Sequence, residues 1–303
     1  MNDNQETKVT KGATPITPNG CTLPRWLLVL AISLVGGLAV MLPFNSFLMN
    51  TTDSIMGITY KDFFNVLSFV PLFVAFVIGL KLVAKTSVKD FVMGVGGKIR
   101  PKFVLTIFIL YVLGMALSTL IFLNNISFRG VQPGQYAFLV VFSLLFVGIQ
   151  TTFEEFAFRG LILRWVCKND IRYSKKSLLA AVVTSLAFAL AHAANPEVTE
   201  QKGFDIVLTL FVYFFVGFLL FWLDIHFGSL LPGIIIHFVN NFILLTIVSQ
   251  DATVITNPTL LVNATPVTPW LALLNDAVCY LPVSIFALVV FIKRKKAAPA
   301  EKQ

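Results

Sequence analysis

Charge is scarce in this chain: of 303 residues only 13% are Asp, Glu, Lys or Arg, where a soluble domain carries about a quarter. So few charges cannot cover a water-facing surface, which excludes a soluble globular enzyme. With 57% hydrophobic residues the chain is also no disordered polymer. Cysteine is nearly absent: Cys21, Cys167 and Cys279 are too few and too scattered for a disulfide framework. No internal repeat is visible, which argues against an inverted-repeat transporter. No small-residue cleavage site follows the first apolar run, so no removed signal peptide is expected. The net charge of +8 invites a nucleic-acid reading, but in so apolar a chain it points to loops facing anionic lipid.

Long apolar runs are what the chain has instead. A bilayer core of about 30 Å needs roughly 20 apolar residues as helix, because lipid offers the backbone no hydrogen-bond partners. Seven runs meet or approach this length: 26–48, 63–80, 103–123, 178–194, 206–223, 230–248 and 270–292. An eighth, fourth in chain order, begins at Tyr136, is cleanly apolar to Ile149 and keeps a helical pattern past charged residues to about Val166. The expected fold is an all-α, polytopic membrane bundle of about eight transmembrane helices. With the N-terminus placed inside, 19 of the 23 Lys and Arg residues fall in inside segments and Lys61, Arg129 and Lys202 outside, which puts both termini in the cytoplasm. Arg159 is left within a span. The expected organisation is a disordered cytoplasmic tail over 1–24, three transmembrane helices over 25–135, a four-helix catalytic core over 136–249, and a last helix with a basic tail over 250–303.

An ionised side chain at the centre of a spanning helix costs about 2.5–3.5 kcal/mol even on the lenient insertion scale, so each one needs a reason. The candidates are Glu154, Glu155 and Arg159 in the fourth span, His192 in the fifth, His237, Asn240 and Asn241 in the seventh, and Asn275 with Asp276 in the eighth. Glu155 with Arg159, Phe188 with His192, and His237 with Asn241 are each four residues apart and share a helix face. Counted from the nearest cytoplasmic end at about 1.5 Å per residue, His237 lies about 12 Å deep, Arg159 about 13 Å, Glu154 about 21 Å and His192 about 22 Å. If the helices are neighbours, these groups can line one cavity. His226, beside Asp224 and Gly228, reads as a solvated loop residue, and Asn275 and Asp276 as structural.

Two carboxylates and two imidazoles can activate water, and a carboxamide with a further imidazole can stabilise an oxyanion. Arg159 should keep Glu155 ionised, leaving Glu154, about 100° round the helix, as the base. Alternatively Glu154, His192 and His237 could bind zinc or another divalent metal with an open position for water, although no H-E-x-x-H helix is present.

The segments E-E-F-A-F-R (154–159), F-A-L-A-H (188–192) and H-F-V-N-N (237–241) resemble the EExxxR, FxxxH and HxxxN motifs of the CPBP intramembrane proteases. That family includes CAAX prenyl endopeptidases of the Rce1 type, lysostaphin-resistance-like proteins and bacteriocin self-immunity (Abi) proteins. The resemblance covers about residues 136–249. It implies a helical bundle in the cell membrane, with an active site opening toward the cytoplasmic side, that cleaves a peptide or membrane-protein substrate. Glu154 would activate water, Glu155 and Arg159 support it, His192 partner it, and His237 with Asn241 form the oxyanion or metal side. The family is described both as metalloproteases and as metal-independent glutamate proteases, and the residues are compatible with either. Two other classes fit a polar membrane cavity: an immunity protein that acts by binding a peptide, and a proton-coupled carrier using Glu154 and His192. Membrane lipid is an expected partner and nucleic acid is not; no residue pattern speaks to oligomeric state.

Overall fold

Helices follow the apolar runs, and their ends have local causes. The structure, a computed structural model, describes residues 22–48, 54–93, 100–122, 126–167, 174–250, 258–263 and 268–297. The expected tail over 1–24, including Cys21, lies almost wholly outside these residues, as does the basic tail beyond 297. The first helix is α1 (Leu23–Leu48). The second run forms α2 (Tyr60–Leu67) and α3 (Phe69–Gly79), continued by a π-helical stretch over Leu80–Ala84. Thr59 caps α2, its hydroxyl accepting the Asp62 N–H at 3.1 Å. A short α4 (Val88–Met93) precedes α5 (Pro101–Phe122).

The fourth run is one long helix with two widened turns: α6 (Pro133–Phe142), a π-helical Ser143–Val147, α7 (Gly148–Glu154), a π-helical Glu155–Gly160 and α8 (Leu161–Cys167). α9 (Lys175–Ala191) starts in a capping box between Ser174 and Ser177. After α10 (Pro196–Thr199), α11 (Phe204–Phe227) ends on Gly228, whose φ of 72° lets its N–H turn back to the Asp224 carbonyl at 2.8 Å. α12 (Leu231–Thr246) and α13 (Pro269–Ala297) complete the set.

Among the described residues six helices are long and apolar enough to cross a membrane: Leu23–Pro43, Tyr60–Ala84, Pro101–Ile121, Pro133–Val166, Phe204–Phe227 and Pro269–Lys293. The all-α, multi-pass membrane class therefore stands. The count of eight rests on α9 and α12, which at 17 and 16 residues are only about 26 and 24 Å long. These two short helices carry the His192 and His237 motifs.

The two ends of the bundle differ. At one, α4 links the tip of α8 to the start of α12: the Phe91 carbonyl accepts from Arg164 Nε at 2.8 Å, and the Val92 carbonyl accepts the Leu230 N–H at 2.9 Å. Exposed Lys81, Lys85, Lys89, Lys102, Lys175 and Lys176 lie in the segments flanking this end. Arg164, counted among the inside-segment charges, is fully buried, with Nε and Nη2 both donating to the Phe91 carbonyl. The other end carries short strands: β1 (Ser54–Ile55) pairs antiparallel with β2 (Ile58–Thr59), and β5 (Leu261–Asn263) lies between antiparallel β3 (Ile126–Phe128) and parallel β4 (Val248–Gln250).

Aromatic rings fill the core beneath α4. Phe91 packs on Trp26, Phe76 and Phe156 with centroids 5.0–5.8 Å apart. On the far side α5 crosses α13 at Gly114, where a Cβ would lie 2.0 Å from the Cys279 carbonyl oxygen. Only glycine permits that approach, as small residues do wherever membrane helices cross closely.

Candidate active site

The site forms where the second π-helical turn of the fourth run meets α12. A π turn widens the helix and re-aims its side chains, and such turns recur at functional positions. Here it begins at Glu155. Glu155 is fully buried; its Oε1 accepts from Arg159 Nη1 at 2.5 Å and from His237 Nδ1 at 2.7 Å. Arg159 is also sealed, with its Nε directed at the Gly217 carbonyl at 3.4 Å and its guanidinium carbon 4.7 Å from the Phe188 ring centre.

Glu154 sits differently. It retains 7% exposure against 0% for Glu155, takes one hydrogen bond from Gln150 Nε2 at 3.2 Å, and has Oε2 3.6 Å from His237 Nε2. That last separation exceeds a direct hydrogen bond. His237 thus stands between the two glutamates, tied to Glu155 and facing Glu154.

His192 lies just beyond the last turn of α9. Its Nδ1 meets the Phe188 carbonyl at 2.8 Å, and a carbonyl can only accept, so Nδ1 carries the hydrogen and Nε2 is left as the acceptor of the neutral ring. The ring stacks on Tyr213 at 4.4 Å. The Tyr213 hydroxyl bonds Glu197, and Asn195 Nδ2 donates to both, at 3.2 Å each. Phe188 is the shared wall, within 6.0 Å of His237 and 4.4 Å of His192, ring centre to ring centre. Asn241, one turn beyond His237, takes a hydrogen bond on Oδ1 from Asn240 at 3.2 Å.

The structure therefore brings Glu154, Glu155, Arg159 and His237 into one cluster and places His192 behind Phe188 at its edge. Glu154 faces His237, and no direct bond joins it to His192 among the described residues. Of the candidate metal ligands Glu154, His192 and His237, His237 has its Nδ1 bonded to Glu155 and its Nε2 3.6 Å from Glu154 Oε2, while His192 lies apart beside Phe188.

Two positions that the sequence reading placed in a loop belong to helix α11. Asp224 is fully buried; its Oδ1 accepts the Gly233 N–H at 3.0 Å, and Oδ2 has no hydrogen-bond partner among the described residues. A Cβ on Gly233 would lie 3.0 Å from both Asp224 oxygens and from Glu155 Oε2, so the two carboxyl groups converge on this glycine. His226 is half-buried, its Nδ1 on the Trp222 carbonyl at 2.8 Å and its ring on Phe291. The apolar run 206–223 stops one residue short of Asp224, and the helix continues four residues further. Counting Asp224 as a charge inside that helix would have flagged it. Gln150, Asn195, Glu197 and Tyr213 carry no such signal, because only folding brings them to the site.

Beside the cluster runs an apolar groove of about 600 Å³, lined by Val104 and Phe108 of α5, Gly148 and Thr152 of α7, and Ile234 and Phe238 of α12. α7 and α12 carry both groove-lining residues and Glu154 and His237, so the groove runs along helices that hold the cluster. Phe91, Phe156, Phe221 and Leu230, all fully buried, belong to one apolar core cluster. The polar neighbour bonded to Glu154 is Gln150, and Asn195, Glu197 and Tyr213 form a separate hydrogen-bonded group beside His192.

Residues 133–243 match the family model of the Rce1-like, type II CAAX prenyl endopeptidases. No curated protein and no solved structure matches the chain. All seven motif residues, from Glu154 to Asn241, lie inside the matched segment. Over that segment the chain is similar to the Rce1-like CAAX prenyl endopeptidases, the family its three motifs resemble.

Proposed function

We propose that the protein hydrolyses a peptide bond inside the membrane with Glu154 as the general base. The observation that carries this is the asymmetry of the glutamate pair: Glu155 is sealed between Arg159 and His237, while Glu154 keeps accessible surface beside the His237 ring. A water next to Glu154 gives a proton to Oε2 as its oxygen attacks the carbonyl carbon. His192, with Nε2 free to accept, holds the water's second hydrogen. The carbonyl π pair moves onto oxygen, and the Asn241 amide donates to that oxyanion. Collapse of the intermediate breaks the C–N bond, and Glu154 returns its proton to the leaving amine.

The groove would receive the apolar part of a substrate arriving from the bilayer. Cleavage is tested with quenched peptides ending in cysteine, two aliphatic residues and serine, with and without a farnesyl thioether, products being mapped by mass spectrometry. Glu154→Gln should lower turnover by at least about 100-fold while the protein still purifies folded. Wild-type turnover in Glu154→Gln would remove Glu154 from the reaction.

A further inference from the structure

A second buried polar chain reaches the site from α5, outside the segment that carries the family match. Tyr111, 1% exposed, is held edge-on against Tyr280 of α13 with ring centres 5.2 Å apart. Its hydroxyl donates to Asn240 Oδ1 at 2.9 Å, and Asn240 Nδ2 in turn donates to Asn241 Oδ1 at 3.2 Å. Each link sets the polarity of the next. Because Asn240 accepts on oxygen from Tyr111, its nitrogen faces Asn241. Because Asn241 accepts on oxygen from Asn240, its own amide nitrogen is the edge left over, and it makes no hydrogen bond among the described residues.

A carboxamide is otherwise free to present either edge. The two are opposite in effect beside a developing negative charge, since N–H stabilises an oxyanion and C=O repels it. His237 and Asn241 share a face of α12, so the edge chosen for Asn241 is the one offered beside His237. We infer that Tyr111 and Asn240 are positioning residues: the hydroxyl-to-amide relay from α5 fixes the Asn241 carboxamide with its N–H₂ toward the reacting carbonyl. This rests on the peptidase reading above. Tyr111 would thereby make α5 part of the catalytic apparatus without touching substrate.

The test has two arms on the full-length protein in detergent micelles. In the first, ¹⁵N-asparagine labelling reports the Asn241 side-chain amide, assigned by its loss in Asn241→Ala. Tyr111→Phe removes the donor, and Asn240→Asp, which has no N–H to give, turns Asn241 round; both should move the resonance. A resonance unmoved in both variants overturns the relay, whether or not any peptide is cleaved.

In the second arm, the CAAX-type peptide assay should show kcat at least about tenfold lower in Tyr111→Phe and Asn240→Asp, with KM within about twofold. In an Asn241→Ala background, Tyr111→Phe should change kcat by less than about twofold, since it acts through a group already removed. Additive losses there would mean that Tyr111 serves only the packing of α5, and would overturn its positioning role. Absence of any peptide cleavage by the wild-type protein would instead overturn the peptidase reading, leaving the resonance arm to decide the relay.

Discussion

Arg159 is the residue on which the cluster's charge balance depends. It is the cation bonded to Glu155, and both are sealed from solvent. A buried pair adds little net stability, but removal of one partner strands the other. Arg159→Met should lower stability by about 3–5 kcal/mol, read as a fall in denaturation midpoint in micelles, whereas Glu154→Gln should leave the midpoint almost unchanged. Equal effects would show that the two glutamates are not distinguished as their burial indicates.

Gly233 makes a second case at this scale. In an ordinary helix interior Gly→Ala gains up to about 1 kcal/mol from propensity alone. Here the new methyl would meet three carboxyl oxygens of Asp224 and Glu155, each at 3.0 Å. Gly233→Ala should therefore fail to stabilise the protein and should reduce peptide turnover. An alanine variant both more stable and fully active would show that the two carboxyl groups yield freely.

At the scale of elements, the fourth run explains why a helix can hold a Glu-Glu pair whose members differ so sharply. Its π-helical turn starts between them, so Glu154 closes an α-helical turn and Glu155 opens a wider one. α5 and α13 are joined by an equally local device. Gly114→Leu places a side chain against the Cys279 backbone, which cannot move aside as a flexible side chain would. The crossing should open, lowering the yield of folded protein, and the relay through Tyr111 should be lost with it.

Most of these elements were legible in the runs themselves. The fourth run, expected over 136–166, spans Pro133–Val166, and the last, expected over 270–292, begins at Pro269. Misreadings fell where polarity and helix disagree. Cutting the sixth run at Leu223 put Asp224 in a loop, because hydropathy marks where lipid contact ends while hydrogen bonding carries the helix on to Phe227. The burial of Arg164 was not legible either: composition registers a cation but not the Phe91 carbonyl that receives it.

At the scale of the whole molecule, the bias of Lys and Arg predicts a cytoplasmic α4 end, and labelling in intact cells tests both that orientation and the end from which the site is reached. With native cysteines replaced by alanine, Lys176→Cys should resist an impermeant maleimide in intact cells and Phe128→Cys should react. Asn195→Cys should then follow Phe128→Cys if the site is reached from the strand-bearing end. The opposite pattern, with Asn195→Cys protected in intact cells and labelled only with Lys176→Cys, would show the expected cytoplasmic opening.

Sequence alone determined the solvent, the helical class and the residues of the cluster, because lipid forbids both unpaired backbone and idle charge, so that scarcity itself made each polar position informative. Tertiary structure decided the rest. That His237 rather than His192 faces Glu154, that Asp224 and Glu155 converge on Gly233, and that Tyr111 reaches the Asn pair from α5 all depend on which helices are neighbours. Spacing within one helix assigns faces. Only packing between helices assigns those faces to one another.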